Sequence, residues 1–192
     1  KEAQILVNYF KSGDFASAES KARKILKKFP DYLVIYNILG MALHSQKKFA
    51  EAIKYFEDAI KINPKFFNAL NNLGNTYFAL GKFEKAETYY QRALEINPKF
   101  TLAINNFGSL KKELNEFDEA IKFYKSALKI NDRLAVVHNN LGMALQSIGK
   151  FEEANKHFNL AIQIDDKFTM ADRNLSNSLK YTLNTPHLKK MN

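Results

Sequence analysis

Asparagine has the most regular spacing of any residue type that could bind something. Asn72, Asn106, Asn140 and Asn174 lie 34 residues apart, and Asn37, Asn71, Asn105 and Asn139 form a second column at the same interval. A primary amide carries N–H donors and a carbonyl acceptor, matching the pair on a peptide bond. A ladder of such side chains can hold an extended backbone with little dependence on its sequence, each bond contributing about 0.5–1.5 kcal/mol. Affinity then accumulates from several weak contacts. Asn75 extends the polar set, while Met41, Phe78 and Met143 offer apolar pockets beside it.

Other reactive residue types lack a catalytic arrangement. His44, His138, His157 and His187 are far apart in register and are expected to share no face, with no second ligand at metal spacing. His138 is expected to fill the packing slot held elsewhere by Tyr36 and Leu70. Glu51, Glu119 and Glu153 recur at the start of a helix, where they favour its dipole and face solvent. The serines, Ser109 and Ser147 among them, have no paired base. Gly40, Gly74, Gly108 and Gly142 are isolated in helices and form no phosphate loop. The chain has no cysteine, which removes disulfides, thiolate metal sites and thiol nucleophiles. The expectation is a protein with no catalytic residues, cofactor or metal.

The asparagines belong to a 34-residue repeat that runs through most of the chain. Phe15, Phe49, Phe83, Phe117 and Phe151 keep the interval, as do Ala18, Ala52, Ala86, Ala120 and Ala154. Within residues 67–100, the spacing of Leu70, Leu73, Tyr77 and Phe78 predicts a first helix from Asn68 to about Leu80. Gly81 ends it in a left-handed turn, and Gly13, Asn115 and Gly149 are its equivalents. Lys47 occupies the same place, so the turn there is expected to be strained or differently shaped. A second helix follows from about Phe83 to Ile96, with Ala86, Tyr90, Ala93 and Leu94 on one face. Pro98, like Pro30 and Pro64, then stops the chain from continuing as helix; Asp132 and Asp166 continue that column. Gly74 and Ala86 are small enough for close helix approach, and Tyr77, Phe83 and Tyr90 fill the remaining space. One such hairpin cannot bury its apolar stripe alone, so the hairpins must stack. Lys111 stands where other units place Tyr9, Leu43, Tyr77 and Leu145, and must snorkel or find a partner.

The pattern Asn72-Leu73-Gly74, Tyr77, Gly81, Ala86, Tyr90, Ala93, Pro98 resembles the tetratricopeptide repeat, and the resemblance covers nearly the whole chain. It implies an all-α fold, a right-handed α-solenoid of stacked antiparallel helix pairs. The expected array spans residues 1–183: units 1–32 (partial), 33–66, 67–100, 101–134 and 135–168, then a capping helix over 169–183 and a tail or linker over 184–192. Leu175, Leu179 and Leu183 are expected to face the last unit, with Arg173, Asn177 and Lys180 in water. The resemblance also implies that the first helices line a concave groove. Its candidate peptide-binding residues are Asn37, Asn71, Asn72, Asn75, Phe78, Asn105, Asn106, Asn139, Asn140, Met143 and Asn174. Val34, Leu102, Val136, Ser109, Lys112 and Gln146 lie on the same side, and the capping helix adds Arg173 and Asn177. The column of Asn72, Asn106, Asn140 and Asn174 is similar to the asparagine ladder in the repeat arm of O-linked N-acetylglucosamine transferases. The lysine and arginine clamp by which some members of the family hold an acidic C-terminus is absent from the corresponding positions.

The formal charge is +9, carried mainly by lysine. Lys21, Arg23, Lys24, Lys27 and Lys28 cluster on one helix and read as a solvated face. Arginine is scarce and the aromatics sit in packing columns, so nucleic acid is not expected as a partner. No apolar window is long enough to span a membrane, and a cytoplasmic location is the expectation. The expected function is a non-catalytic scaffold that binds a protein or peptide in its groove. The alternative is the N-terminal recruiting arm of a larger glycosyltransferase, sulfotransferase or methyltransferase; the absent initiator Met and the stretch Thr185-Pro186-His187-Leu188 suggest it. Ile5, Val7, Tyr9 and Phe10 form an apolar N-terminal edge through which the chain is expected to be capable of self-association.

Overall fold

Helical periodicity with a break every half-repeat produces helical hairpins, and the computed structural model contains them in order. It describes the backbone of residues 2–184 and the side chains of residues 5–180. Eleven α-helices and no strand occur among these residues: α1 (Glu2–Lys11), α2 (Phe15–Lys28), α3 (Leu33–Ser45), α4 (Phe49–Ile62), α5 (Phe67–Ala79), α6 (Phe83–Ile96), α7 (Thr101–Glu113), α8 (Phe117–Ile130), α9 (Ala135–Ser147), α10 (Phe151–Ile164) and α11 (Thr169–Asn184). Odd-numbered helices are the first of each pair and even-numbered helices the second. The chain divides at a repeat boundary into two compact units, Lys1–Phe100 and Thr101–Asn192.

The turn inside each hairpin is the same five times. Gly13, Lys47, Gly81, Asn115 and Gly149 all have positive φ, between 60° and 78°. The next residue closes the turn by donating its N–H five residues back, as Lys48 does to the Leu43 carbonyl at 2.9 Å and Lys82 to the Tyr77 carbonyl at 2.9 Å. The different shape anticipated at Lys47 is therefore not found. The closing bond imposes the left-handed backbone there too, with the Cβ strain that glycine avoids.

Between hairpins the chain turns with or without proline. Asn63, Asn97, Asn131 and Asp165 each accept, through Oδ1, the N–H two residues on, at 2.9, 3.2, 2.9 and 3.1 Å. This side-chain turn is common to these four of the five junctions. Proline follows it only at Pro64 and Pro98.

Close packing inside four of the five hairpins depends on one glycine. A Cβ added at Gly40, Gly74, Gly108 or Gly142 would lie 2.5, 2.7, 2.7 or 2.6 Å from a ring atom of Phe56, Tyr90, Tyr124 or Phe158. The first hairpin makes the same fit the other way round. Its two columns hold Leu6 and Ala22, both fully buried, so the large and small residues have changed places. Ala18, Ala52, Ala86, Ala120 and Ala154 are all fully buried.

Within each unit, first helices touch their counterparts one hairpin along: α1 with α3 and α3 with α5, and separately α7 with α9 and α9 with α11. The second helices of a unit make no comparable contact with one another among the described residues. The first-helix side is thus the inner side of each unit.

α11 departs from expectation. It turns Ala171 and Ser178 inward, while Leu179 is 43% exposed and Leu175 half-buried. Small residues fit this face because α11 packs against both α9 and α10. Leu183 and residues 185–192, the main part of the expected tail, lie outside the described side chains.

Candidate peptide-binding face

The first helices have a distinctive composition. α3, α5 and α9 carry no lysine, arginine, aspartate or glutamate, and the charge of these hairpins lies on second helices and turns. What α3, α5 and α9 offer is therefore amide, hydroxyl and apolar surface, whereas α7 and α11 also carry charge, with Lys111, Lys112, Glu113, Asp172, Arg173 and Lys180.

The two asparagine columns do not stand side by side facing solvent. They are bonded to each other between successive hairpins. In the first unit Asn72 Nδ2 donates to Asn37 Oδ1 at 3.0 Å, and Asn71 Nδ2 donates to Asn72 Oδ1 at 3.2 Å. In the second unit Asn140 Nδ2 donates to Asn105 Oδ1 at 2.9 Å and Asn174 Nδ2 to Asn139 Oδ1 at 2.8 Å. Asn37, Asn71 and Asn139 are 9%, 3% and 1% exposed, so a ligand has little access to them. Their burial corrects the picture of both columns presented to a ligand: Asn37 is enclosed where α3 meets α5, and Asn139 where α9 meets α11. Asn72, Asn105, Asn106 and Asn140 are half-buried, as is Asn174. After its bond to the previous hairpin, Asn140 or Asn174 retains a second N–H and its carbonyl oxygen.

Around this seam lie the other candidates. Asn75 Oδ1 accepts the Tyr90 hydroxyl at 2.7 Å, and Asn75 lines a small recess of about 150 Å³ with Phe10, Met41, His44 and Asn72. His44 Nδ1 is 3.0 Å from Thr76 Oγ1, whose own proton goes to the Asn72 carbonyl at 2.8 Å. His44 Nδ1 is therefore the donor, and burial holds the ring below its usual pKa. Phe78 packs against Phe83 at 5.7 Å, half-buried like Met143.

The most exposed part of the face is apolar. Leu102, Val136 and Met170 follow one another at the repeat interval and are 60%, 53% and 53% exposed. Leu102 and Val136 line a cleft of about 390 Å³ together with Asn105, Leu134, Arg133 and Asp165. Met170 lies one interval beyond Val136, the signal by which the sequence could have placed it there.

The outer, second-helix surfaces are closed in a different way. Tyr89 stacks on Tyr77 at 5.5 Å, with the Arg92 guanidinium 5.5 Å from its ring centre. Phe123 stacks on Phe107 at 4.4 Å. Arg23, expected on a solvated face, is tied down: it donates to Glu19 at 2.9 Å, to the Tyr55 hydroxyl at 2.7 Å and to Glu51 at 2.6 Å. Lys111 finds a partner in Glu116 at 3.0 Å and lies over the Phe107 ring.

Two of the histidines depart from expectation. His138 and His157 meet, with Nδ1 to Nδ1 at 3.0 Å. The column arithmetic allows this. They are the equivalents of Tyr36 and Tyr55, whose rings also approach, at 6.2 Å. His187 lies outside the described residues.

Known proteins share the repeat and its fold. Tetratricopeptide repeat family profiles match residues 67–100 and 100–167, and a TPR repeat profile matches residues 40–81. No curated protein sequence matches the chain. Among solved structures, TTC0263, a thermophilic TPR protein of Thermus thermophilus, is 19% identical with a TM-score of 0.84, over 93% of this chain and 97% of that one. The crystal structure of MamA is 24% identical with a TM-score of 0.67, over 86% and 96%. YrrB, described as a TPR protein with an unusual peptide-binding site, is 21% identical with a TM-score of 0.62, over 90% and 89%. These likenesses establish the all-α repeat fold.

Proposed function

The chain belongs to the tetratricopeptide repeat family, and from that premise we propose that it is a non-catalytic protein-interaction scaffold holding an extended peptide on its first-helix side. The observation that carries this is the neutrality of α3, α5 and α9 together with the half-exposed amides of Asn72, Asn140 and Asn174. A backbone needs amide partners more than charged ones, and these residues retain some bonding capacity after linking the hairpins. The apolar row of Leu102, Val136 and Met170 supplies contacts for side chains of the bound segment.

The test is selection from a diverse peptide-display library on the chain, run beside Leu102→Ser/Val136→Ser and Asn72→Ala/Asn140→Ala. Enrichment on the wild type that falls with both variants supports the proposal. Equal enrichment on all three proteins, or none on the wild type, refutes it.

A second mode, self-association at the N-terminal edge, is favoured by a cleft of about 270 Å³ lined by Leu6, Val7, Phe10, Ile38 and Met41, beside the exposed Ile5. Light scattering across a concentration series would show mass rising with concentration, and Val7→Lys would suppress the rise. A constant monomer mass excludes this mode.

A further inference from the structure

His138 on α9 and His157 on α10 replace, within one hairpin, the tyrosine pair of α3 and α4. Their ring centres are 5.2 Å apart and their planes differ by 25°. That separation is about the Nδ1–Nδ1 distance plus a ring radius at each end, so the imidazoles meet edge to edge, not face to face. His138 Nε2 is 2.8 Å from the carbonyl oxygen of Asp132. A carbonyl only accepts, so Nε2 bears the proton and Nδ1 presents its lone pair to His157. His157 Nδ1–H fills the gap by donating to it across 3.0 Å.

A histidine that donates one ring N–H to a backbone carbonyl, with its other nitrogen aimed at a second imidazole, is arranged as metal-binding histidines are. Two nitrogens bound at 2.0–2.1 Å to a tetrahedral ion lie ~3.3 Å apart. The observed spacing is a few tenths of an ångström short of that, and the rings must also tilt off line. We propose that His138 and His157 chelate one divalent transition-metal ion of the Zn²⁺, Ni²⁺ or Cu²⁺ class through their Nδ1 atoms.

The proton balance is simple. The proton on His157 Nδ1 passes by way of solvent to His157 Nε2, both rings become Nε2–H tautomers, and a neutral pair releases no net proton. Burial first, then the nearby His138 and Lys125, hold His157 below its usual value, with Glu153 opposing them. No group of three or more ligating side chains occurs among the described residues, so water completes the coordination. Tyr36, Leu70 and Ile104 serve the first of these columns elsewhere and Tyr55, Tyr89 and Phe123 the second, which makes the imidazoles dispensable for packing.

The experiment is calorimetric titration of Zn²⁺ or Ni²⁺ alone into the untagged chain at neutral pH, with Cu²⁺ binding followed by electron paramagnetic resonance. The variants are His157→Phe, the residue at Phe123, and His138→Tyr, the residue at Tyr36, with His44→Gln as a control. The expected result is one ion per wild-type chain, a two-nitrogen hyperfine pattern, and binding weakened at least about tenfold in either variant but not in the control. No saturable binding, a one-nitrogen pattern, or undiminished binding by the two variants overturns the proposal. The wild-type spectrum decides the matter even if a variant folds poorly.

Discussion

Asn72 donates its side-chain amide to Asn37, 35 residues earlier, across 3.0 Å, and the acceptor is almost completely buried. The same bond joins Asn140 to Asn105 and Asn174 to Asn139. An asparagine pair is thus a seam between one hairpin and the next before it is a contact for anything else.

Replacing Asn72 by alanine leaves the Asn37 carbonyl oxygen without that bond in a buried place. The expected cost is about 1–3 kcal/mol, read as a lower urea midpoint. Val136→Ser, at an exposed position on the same face, should stay within about 0.5 kcal/mol of the wild type. Equal stability of Asn72→Ala and wild type would show the seam to be energetically idle.

Lys47 has φ of 60° where three equivalent turns use glycine. Lys47→Gly relieves the Cβ contact of the left-handed backbone, worth about 1–2 kcal/mol, and adds unfolded-chain entropy of about 0.5–1 kcal/mol against it. The net expectation is a small stabilisation, seen as a higher midpoint with the same denaturant slope. Gly81→Lys, at φ 68°, should shift the midpoint the opposite way.

Glu19 sits among Lys48, Arg23 and Gln46. Burial by itself raises its pKa, but the hydrogen bonds from these three groups together bring it down to about 2 from 4.5. Because the folded value lies below the unfolded one, the stabilisation is fully present above about pH 4.5 and is lost as pH falls toward 2. Glu19→Gln should lower stability at neutral pH and flatten the acid limb between those values. A parallel acid limb in the variant would mean that other groups set it.

A ligand held by the amides and apolar side chains of α3, α5 and α9, helices without lysine, arginine, aspartate or glutamate, should be insensitive to ionic strength. Affinity for a selected peptide is expected to change less than about threefold between low salt and 1 M, where the screening length has shrunk to about 3 Å. A steep decline would move the binding surface to the lysine-bearing second helices.

Periodicity made the helices, their turns and the buried column of alanines legible in advance, because each depends on neighbours within one hairpin. The exchange of Leu6 and Ala22 against Gly40 and Phe56 is readable from the same columns once their partners are known. Other features were not legible. Leu179 matches an apolar stripe, yet the surface of α11 that meets α9 and α10 accepts the small Ala171 and Ser178 instead. His138 and His157, 19 residues apart, stand on different helices, and their meeting depends on how those helices face each other.

From the chain alone came the repeat, the hairpin as its unit, the left-handed turn, and an inner side rich in asparagine. All of these follow from residue type at a fixed spacing along the chain. Tertiary structure alone decided that Asn72 bonds Asn37 and Asn174 bonds Asn139, that Arg23 is bound between Glu19, Tyr55 and Glu51, and that two imidazoles share a proton. Those are contacts between side chains on different helices. Their distances depend on how closely and at what rotation the helices pack, and no spacing within a single helix contains that information.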